Sequence, residues 1–343
     1  MVTVRGASIR ALAYPALTGS PRAGDRVLLN VTALEAGLGT GGYALVVAIP
    51  DRLPADAELG GHIVKSRYTP LQVMTGSADE QGSPYHDVLE SADSLDGMPV
   101  VVADLHSALP AILAGLRSSS WAVAGDSPRA VYVMTDGGAL PAWFSRTIAG
   151  LREAGWLAAT VTTGQSFGGD LEAVTVHSGL LTARHALGAD VAVVTQGPGN
   201  LGTGTRWGYS GVAAGEAVNA AAALDGRPIA SLRFSFADQR ERHQGISHHS
   251  LTAYGRVALA RADVVIPELA EEAKAARVAA GAAPLAERHS LVTVPVDGLD
   301  EALRACPVPL STMGRSLDED LEYFLAAAAA GRHAASLLPE PSR

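Results

Sequence analysis

From Met98 to Val296 the chain alternates short, nearly uninterrupted apolar runs with segments of helical period. The runs are MPVVVA (98–103), AVYVM (130–134), LAATVT (157–162), DVAVVT (190–195), RPIASLRF (227–234), ADVVIP (262–267) and SLVTVPV (290–296). A strand with one solvated face alternates apolar and polar residues; these runs are apolar on both parities, so both faces must be covered. Joined by helices long enough to cross over, such strands build a parallel sheet between two helical layers. The expectation is an α/β fold with a doubly wound, mostly parallel sheet. A near-repeat agrees with it: ADLHSALPAILAGL (103–116) and TDGGALPAWFSRTIAGL (135–151) both run strand, Asp, small residues, Ala-Leu-Pro-Ala, helix. Pro110 and Pro141 suit a first helical turn, and Gly155 and Gly188 suit helix ends.

The first part of the chain reads differently. SIRALAY (8–14), DRVLLNVTAL (25–34) and YALVVAIPD (43–51) are β-like runs separated by Gly and Pro clusters, with no helical period between them. They predict a small N-terminal all-β, barrel-like antiparallel domain over 1–70, followed by the α/β domain over 71–335 and a tail over 336–343. GHIVKSRYTPLQVM offers a last barrel strand, SPYHDVLESADSLDG a short helix, and the segment from 317 a final helix opened by acids that suit its positive end.

Composition narrows the partners. With 26 Lys+Arg against 35 Asp+Glu, the net charge is −9 and the pI about 5.6, so no broad attraction to nucleic acid or an anionic membrane is expected. Acidic balance favours a small-molecule partner; a homo-oligomer is left open. One cysteine, Cys306, excludes an intrachain disulfide and a multi-cysteine zinc site, and fits a reducing cytoplasm. There is no signal-peptide pattern in MVTVRGASIRALAYPALTG and no apolar stretch of membrane-spanning length.

In open α/β sheets ligands gather at the carboxyl ends of the strands, so the residues just after each run carry the information. After DVAVVT comes TQGPGNLGTGT, which places Gly197, Gly199, Asn200, Gly202, Thr203 and Arg206 before a helix expected to begin near Trp207. Glycines let backbone amides face a ligand, a helix N-terminus adds partial positive charge, and Arg206 adds a bidentate donor, so an anion is the expected guest. The loop matches neither the P-loop nor the dinucleotide fingerprint. Turn formation and close packing of GYSGVAAGEAVNAAAAL on the sheet explain the same glycines.

The second cluster is DQRERHQGISHH (238–249), with His243, His248 and His249 beside Asp238 and two arginines. Imidazole and carboxylate bind zinc, manganese or iron, and other strand ends could complete a shell. The expected roles are Asp104, Asp136, Asp238 and His243 for metal binding or proton transfer, and His106, His248 and His249 as ligands of a divalent Zn or Mn ion. Adjacent His248 and His249 are expected to point apart, and a hydrogen-bonded polar rim accounts for the same residues. A third signal, GQSFG (164–168), fits a nucleophile elbow at Ser166, but the pattern arises readily by chance and Gly168-Gly169-Asp170 leads into a strand-like LEAVTVHS where the elbow needs a helix.

Taken together, GHIVKSRYTPLQ, SPYH, VVADLHSALP, TDGGALP, TQGPGNLGTGTRWG and ERHQGISHHSLTA resemble an uncharacterised family of actinobacterial-type proteins known as a domain of unknown function. The resemblance spans most of the chain and implies a cytoplasmic bacterial protein; it implies no substrate and no catalytic residues. The functional expectation is an enzyme that holds an anionic, phosphorylated or nucleotide-like small molecule at the sheet edge for metal-assisted hydrolysis or transfer. The alternatives are a non-catalytic sensor using the same pocket and a hydrolase using Ser166.

Overall fold

The apolar runs are buried from both sides because each lies inside one sheet. The structure, a computed structural model, describes residues 1–56, 60–118 and 127–339. Its principal sheet is formed by β1 (Pro99–Val102), β2 (Ala130–Thr135), β3 (Ala159–Thr162), β4 (Leu171–Glu172), β5 (Val191–Gln196), β6 (Arg227–Ser231), β7 (Asp263–Pro267) and β8 (Ser290–Val294). All eight strands are parallel, in the order β4-β3-β2-β5-β1-β6-β7-β8. Every residue of β1, β3 and β5 is buried. The pleat sends Val101, Tyr132, Met134 and Val193 to one hydrophobic cluster and Val100, Val102, Val133 and Val194 to the other.

Helices cover both faces. α1 (Leu109–Arg117), α2 (Arg146–Glu153), α7 (Leu299–Arg304) and α8 (Leu321–Ser336) contribute to the first cluster. α3 (Val176–Leu181), α4 (Ala213–Ala223) and α6 (Glu272–Ala282) contribute to the second; the short α5 (His248–Thr252) leads into it through Ala253 and Tyr254. The chain leaving β1 thus goes to one face, whereas the chains leaving its neighbours β5 and β6 go to the other. Loops that part in this way open a crevice at the carboxyl ends of the strands.

The chain divides into two compact units, Met1–Thr75 and Gly76–Arg343. The first holds an antiparallel hairpin (Val2–Val4 with Ala7–Ile9), another (Ile63–Lys65 with Val73–Thr75), and a three-stranded sheet. In that sheet Ala44–Ala48 pairs in parallel with Ala11–Leu12 and antiparallel with Leu28–Asn30. The β-rich expectation holds, but as separate small sheets. A barrel needs every strand paired on both sides, and among the described residues of this unit only Ala44–Ala48 is.

Two local expectations change. Pro110 does lie in the first turn of α1, but Pro141 is extended (φ −76°, ψ 130°) and α2 begins only after Ser145, whose Oγ accepts from the amide of Ile148. A serine cap, placed beyond the Asp-linked turn, replaces the proline start. The chain after Trp207 makes a 3-10 turn at Ser210–Val212 before α4 starts at Ala213. The final helix ends at Ser336, and the last four residues of the expected tail lie outside the described residues. Among the described residues no helix is long and apolar enough to cross a membrane.

The helices α1 and α8 cross in close contact at two glycines. A Cβ on Gly115 would overlap the carbonyl of Ala328, and one on Gly331 would overlap the carbonyl of Ile112. Backbone, not a yielding side chain, stands in the way. Gly331→Ala is therefore expected to destabilise the α/β unit by about 3 kcal/mol in urea unfolding, with Gly115→Ala similar and the double variant less than additive, because both open the same crossing. A change within about 0.5 kcal/mol, the range of an ordinary surface substitution, would mean that this crossing is not as tight as described.

Candidate functional site

Asp104 stands two residues past β1, buried where the diverging loops part. Its residue is 3% exposed, and its Oδ2 is buried with no hydrogen-bond partner. Two groups face that oxygen: Nη1 of Arg233 at 3.6 Å and Nδ1 of His249 at 3.4 Å. Arg233 follows β6 and is itself buried. The side chain of Gln196, at the end of β5, donates through Nε2 to the Asp104 carbonyl at 2.8 Å, while its Oε1 is buried and unpartnered.

The loop after β6 carries the histidines. Phe234–Ser235 pairs antiparallel with Gly245–Ile246, and Gly245 takes the left-handed φ (+69°) that this reversal needs. Ser247 then caps α5: its Oγ accepts from the amide of His249 and lies 2.7 Å from Nδ1 of His243. One serine thus fixes the start of α5 and the pose of His243. Ring centroids are 5.0 Å apart for His243 and His248, 5.0 Å for His243 and His249, and 4.5 Å for His248 and His249. One nitrogen from each ring lies within 4.8 Å of the other two. The expectation that His248 and His249 point apart fails here. Successive residues entering a helix differ by about 100° rather than the 180° of a strand, so adjacent rings can still converge.

Burial decides the charge of these rings. His243 is held down to about 3 by burial first and then by the charges of Arg233 and Arg240. His248 is held down to about 4 by burial, then by His249 and by Arg242, Arg233 and Arg240. Both are neutral at ordinary pH, with ring lone pairs available, and Nε2 of His248 is buried with no partner. Tyr209 stacks on His249 at 3.7 Å with the rings 5° from parallel, and its hydroxyl donates to the His249 carbonyl. Nδ1 of His249 is 3.1 Å from Nη1 of Arg233. Either Arg233 donates to Nδ1, or Nδ1–H donates toward Asp104; the second arrangement leaves Nε2 of His249 free.

The other candidate residues are placed elsewhere. Asp238 is bound bidentately by Arg240 (2.9 and 2.7 Å), with Arg315 at 3.5 Å, and the Arg240 hydrogen bonds hold its carboxyl far below the usual range. It is a partnered anion, not a group poised to move protons. His106 has both nitrogens engaged, Nδ1 with the Tyr132 hydroxyl at 3.0 Å and Nε2 with Ser145 Oγ at 2.7 Å, and it does not belong to the histidine cluster. Asp136 accepts from the amides of Gly138, Ala139 and Gln165, tying the loops after β2 and β3 together. Ser166 is buried, donates to the Thr135 carbonyl and is followed by β4, not by a helix.

The glycine loop closes on itself. Leu201 and Ser210 exchange hydrogen bonds, the Thr203 amide donates to the Gly208 carbonyl at 2.7 Å, and the Gly208 amide donates to Thr205 Oγ1. Asn200 accepts from Ser210 Oγ at 2.9 Å. Gly197 is placed where a Cβ would come within 2.7 Å of Met134, Gly199 has φ +113°, and Gly202 forms a bridge with Tyr209. The amides of Leu201, Thr203 and Gly208 are spent inside a hairpin that carries Tyr209 onto His249, while Arg206 is exposed at its tip. Sequence reasoning missed Arg233 and Tyr209. An arginine closing an otherwise apolar strand run was the available signal for the first; nothing local marks the second.

The model of a family described as "Protein of unknown function (DUF3866)" matches residues 10–331, and the chain belongs to that family. No curated protein matches the chain.

His106 supplies a pH test of the surrounding core. Burial lowers it to about 4, against about 6.5 in an unfolded chain. The native state therefore refuses a proton that the unfolded state accepts. Its contribution is complete above pH 6.5 and is lost as pH falls toward 4, by up to about 1.4 kcal/mol per pH unit for the one proton. Urea unfolding of wild type and His106→Gln at pH 7 and pH 5 measures this: the loss of stability between the two pH values should be smaller in the variant. Equal losses would show that His106 is not held neutral.

Proposed function

We propose that the protein is a metal-dependent hydrolase or transferase acting on an anionic small molecule in the crevice at the carboxyl ends of β1, β5 and β6. The observation that carries this reading is the convergence of His243, His248 and His249, with one nitrogen each within 4.8 Å and Nε2 of His248 buried without a partner. Three neutral nitrogen ligands with a fourth position left for water or substrate are the pattern of catalytic zinc. A set made only of imidazoles suits zinc better than manganese, which prefers oxygen. Tetrahedral zinc sets ligand nitrogens about 3.3 Å apart, so the rings need to close by about 1.5 Å at most.

Such an ion lowers the pKa of water and polarises an acyl or phosphoryl oxygen. The chain's own residues orient its ligands. With the ion bound, Nδ1–H of His249 would turn to Asp104 Oδ2, 3.4 Å away, in place of accepting from Arg233, which would direct Nε2 outward and give Oδ2 the donor it lacks. Ser247 holds the His243 ring by its Nδ1, and would accept from Nδ1–H when Nε2 binds the ion. Tyr209 fixes the plane of the His249 ring by stacking on it. Arg233 balances the Asp104 charge. A cytoplasmic setting, inferred from the single cysteine, accompanies this reading.

Protein made without a histidine tag is expected to carry about one zinc per chain by elemental analysis. His248→Ala should lose the metal, while Asp104→Asn should weaken it by about tenfold to a hundredfold, the usual cost of losing the group that orients a ligand. Circular dichroism establishes that the variants are folded. If folded wild type takes up no zinc or manganese, and a nucleotide raises its melting temperature, the crevice belongs to a sensor and the metal reading fails.

A further inference from the structure

The guanidiniums near the histidine cluster are not equivalent. Arg233 is used by Asp104 and His249, and Arg240 is used by Asp238. Arg242, one residue before His243, is exposed and has no hydrogen-bond or ion-pair partner among the described residues. It stands against the hairpin: Nη2 of Arg242 is 3.8 Å from where a Cβ on Gly204 would lie, at a backbone φ of +81°. Arg206, two residues further along the same tip, is likewise exposed and unpartnered among the described residues. The hydroxyls of Thr203 and Thr205, 3.1 Å apart, are used by the hairpin itself: Thr203 Oγ1 donates to the Gly208 carbonyl and Thr205 Oγ1 accepts from the Gly208 amide. The other end of this hairpin is anchored on the cluster by Tyr209.

Arg233 and Arg240 are matched by Asp104 and Asp238, whereas Arg242 and Arg206 have no such partner among the described residues, so their charge is open to an anion. Arg242 is also close enough for its charge to depress His248. A carboxylate is satisfied by one guanidinium in a fork. Two guanidiniums supply more bonds than a carboxylate can take, and suit the three oxygens of a phosphate monoester.

We propose that the substrate is a small phosphorylated molecule whose phosphate is held by Arg242 and Arg206 at the hairpin Leu201–Ser210, next to the three-histidine cluster. This rests on the metal reading only for what happens to the substrate; the phosphate subsite itself does not require the ion. It also places anion binding on the side chains at the hairpin tip and not on the glycine amides.

Inorganic phosphate is the probe, with binding measured by calorimetry on the full chain, zinc-loaded and zinc-free. Wild type should bind phosphate more tightly than acetate, and Arg242→Ala should weaken phosphate by about tenfold or more with zinc content unchanged, Arg206→Ala by less. Both residues are exposed, so the variants are expected to fold. Equal phosphate affinity in Arg242→Ala, or acetate bound as tightly as phosphate, overturns the proposal. If zinc is never bound but phosphate binding depends on Arg242, the subsite stands and the metal reading falls. If zinc is bound but phosphate ignores Arg242, the reverse holds.

Discussion

A carboxylate buried at the end of a central strand is the constraint around which the α/β unit is arranged. Asp104 cannot be solvated, so its charge needs a counter-charge that is buried with it. Arg233 supplies this at 3.6 Å, and is itself fixed because its amide donates to Ser250 Oγ and its carbonyl accepts from the Ser247 amide. Those bonds hold the start of α5, and with it His248 and His249. Removing the carboxylate would leave a buried guanidinium beside three imidazoles with nothing to balance it. A pair with imperfect geometry, and one oxygen without a donor, is a poor device for stability alone. Its position at the parting of the loops is where a fold of this kind places ligands.

Much of the sheet was legible in the sequence, for a reason visible in β1 and β5. Strands buried on both faces must be apolar at every position, so their runs stand out without any need to decide a register. The helices between them followed from what must cover the two faces. The loops were less legible, because local chemistry there has several solutions. Asp136 followed by small residues reads as a catalytic acid after a strand, yet its oxygens are used by three backbone amides. The run from Gly197 to Gly204 reads as an anion cradle, yet the amides of Leu201 and Thr203 are used inside a hairpin. Pro141 imitates Pro110 in sequence, but the strands and turns around the two differ, and Ser145 takes over the start of α2.

The convergence of the histidines could not be read from spacing. It depends on Ser247 capping a five-residue helix and on Gly245 reversing the chain before it. Both are ordinary turn residues whose effect is set by the pairing of Phe234–Ser235 with Gly245–Ile246. Arg233 was hidden for the opposite reason. It sits at the end of a strand run in which Ile229 to Leu232 are buried, and only the buried Asp104 facing it gives it a purpose. Two strands far apart in sequence, β1 and β6, had to be neighbours before either residue meant anything.

Arginine, not lysine, surrounds these imidazoles, and the difference has a chemical consequence. A guanidinium stays charged when buried, whereas an ammonium in the same place would lose its proton. Burial first, and then permanent positive charge beside the rings, keeps His243 and His248 neutral well below pH 6. Their lone pairs are then available without any proton having to leave, which suits a ligand that must be deprotonated to bind. The same charge repels a bare cation and attracts an anion. On the proposed reading a cation and an anion together would satisfy the site better than either alone: the histidines and Asp104 would answer the first, and the hairpin arginines, without partners among the described residues, the second. Metal affinity and anion affinity should therefore rise together in this crevice, each ion offsetting the field that opposes the other.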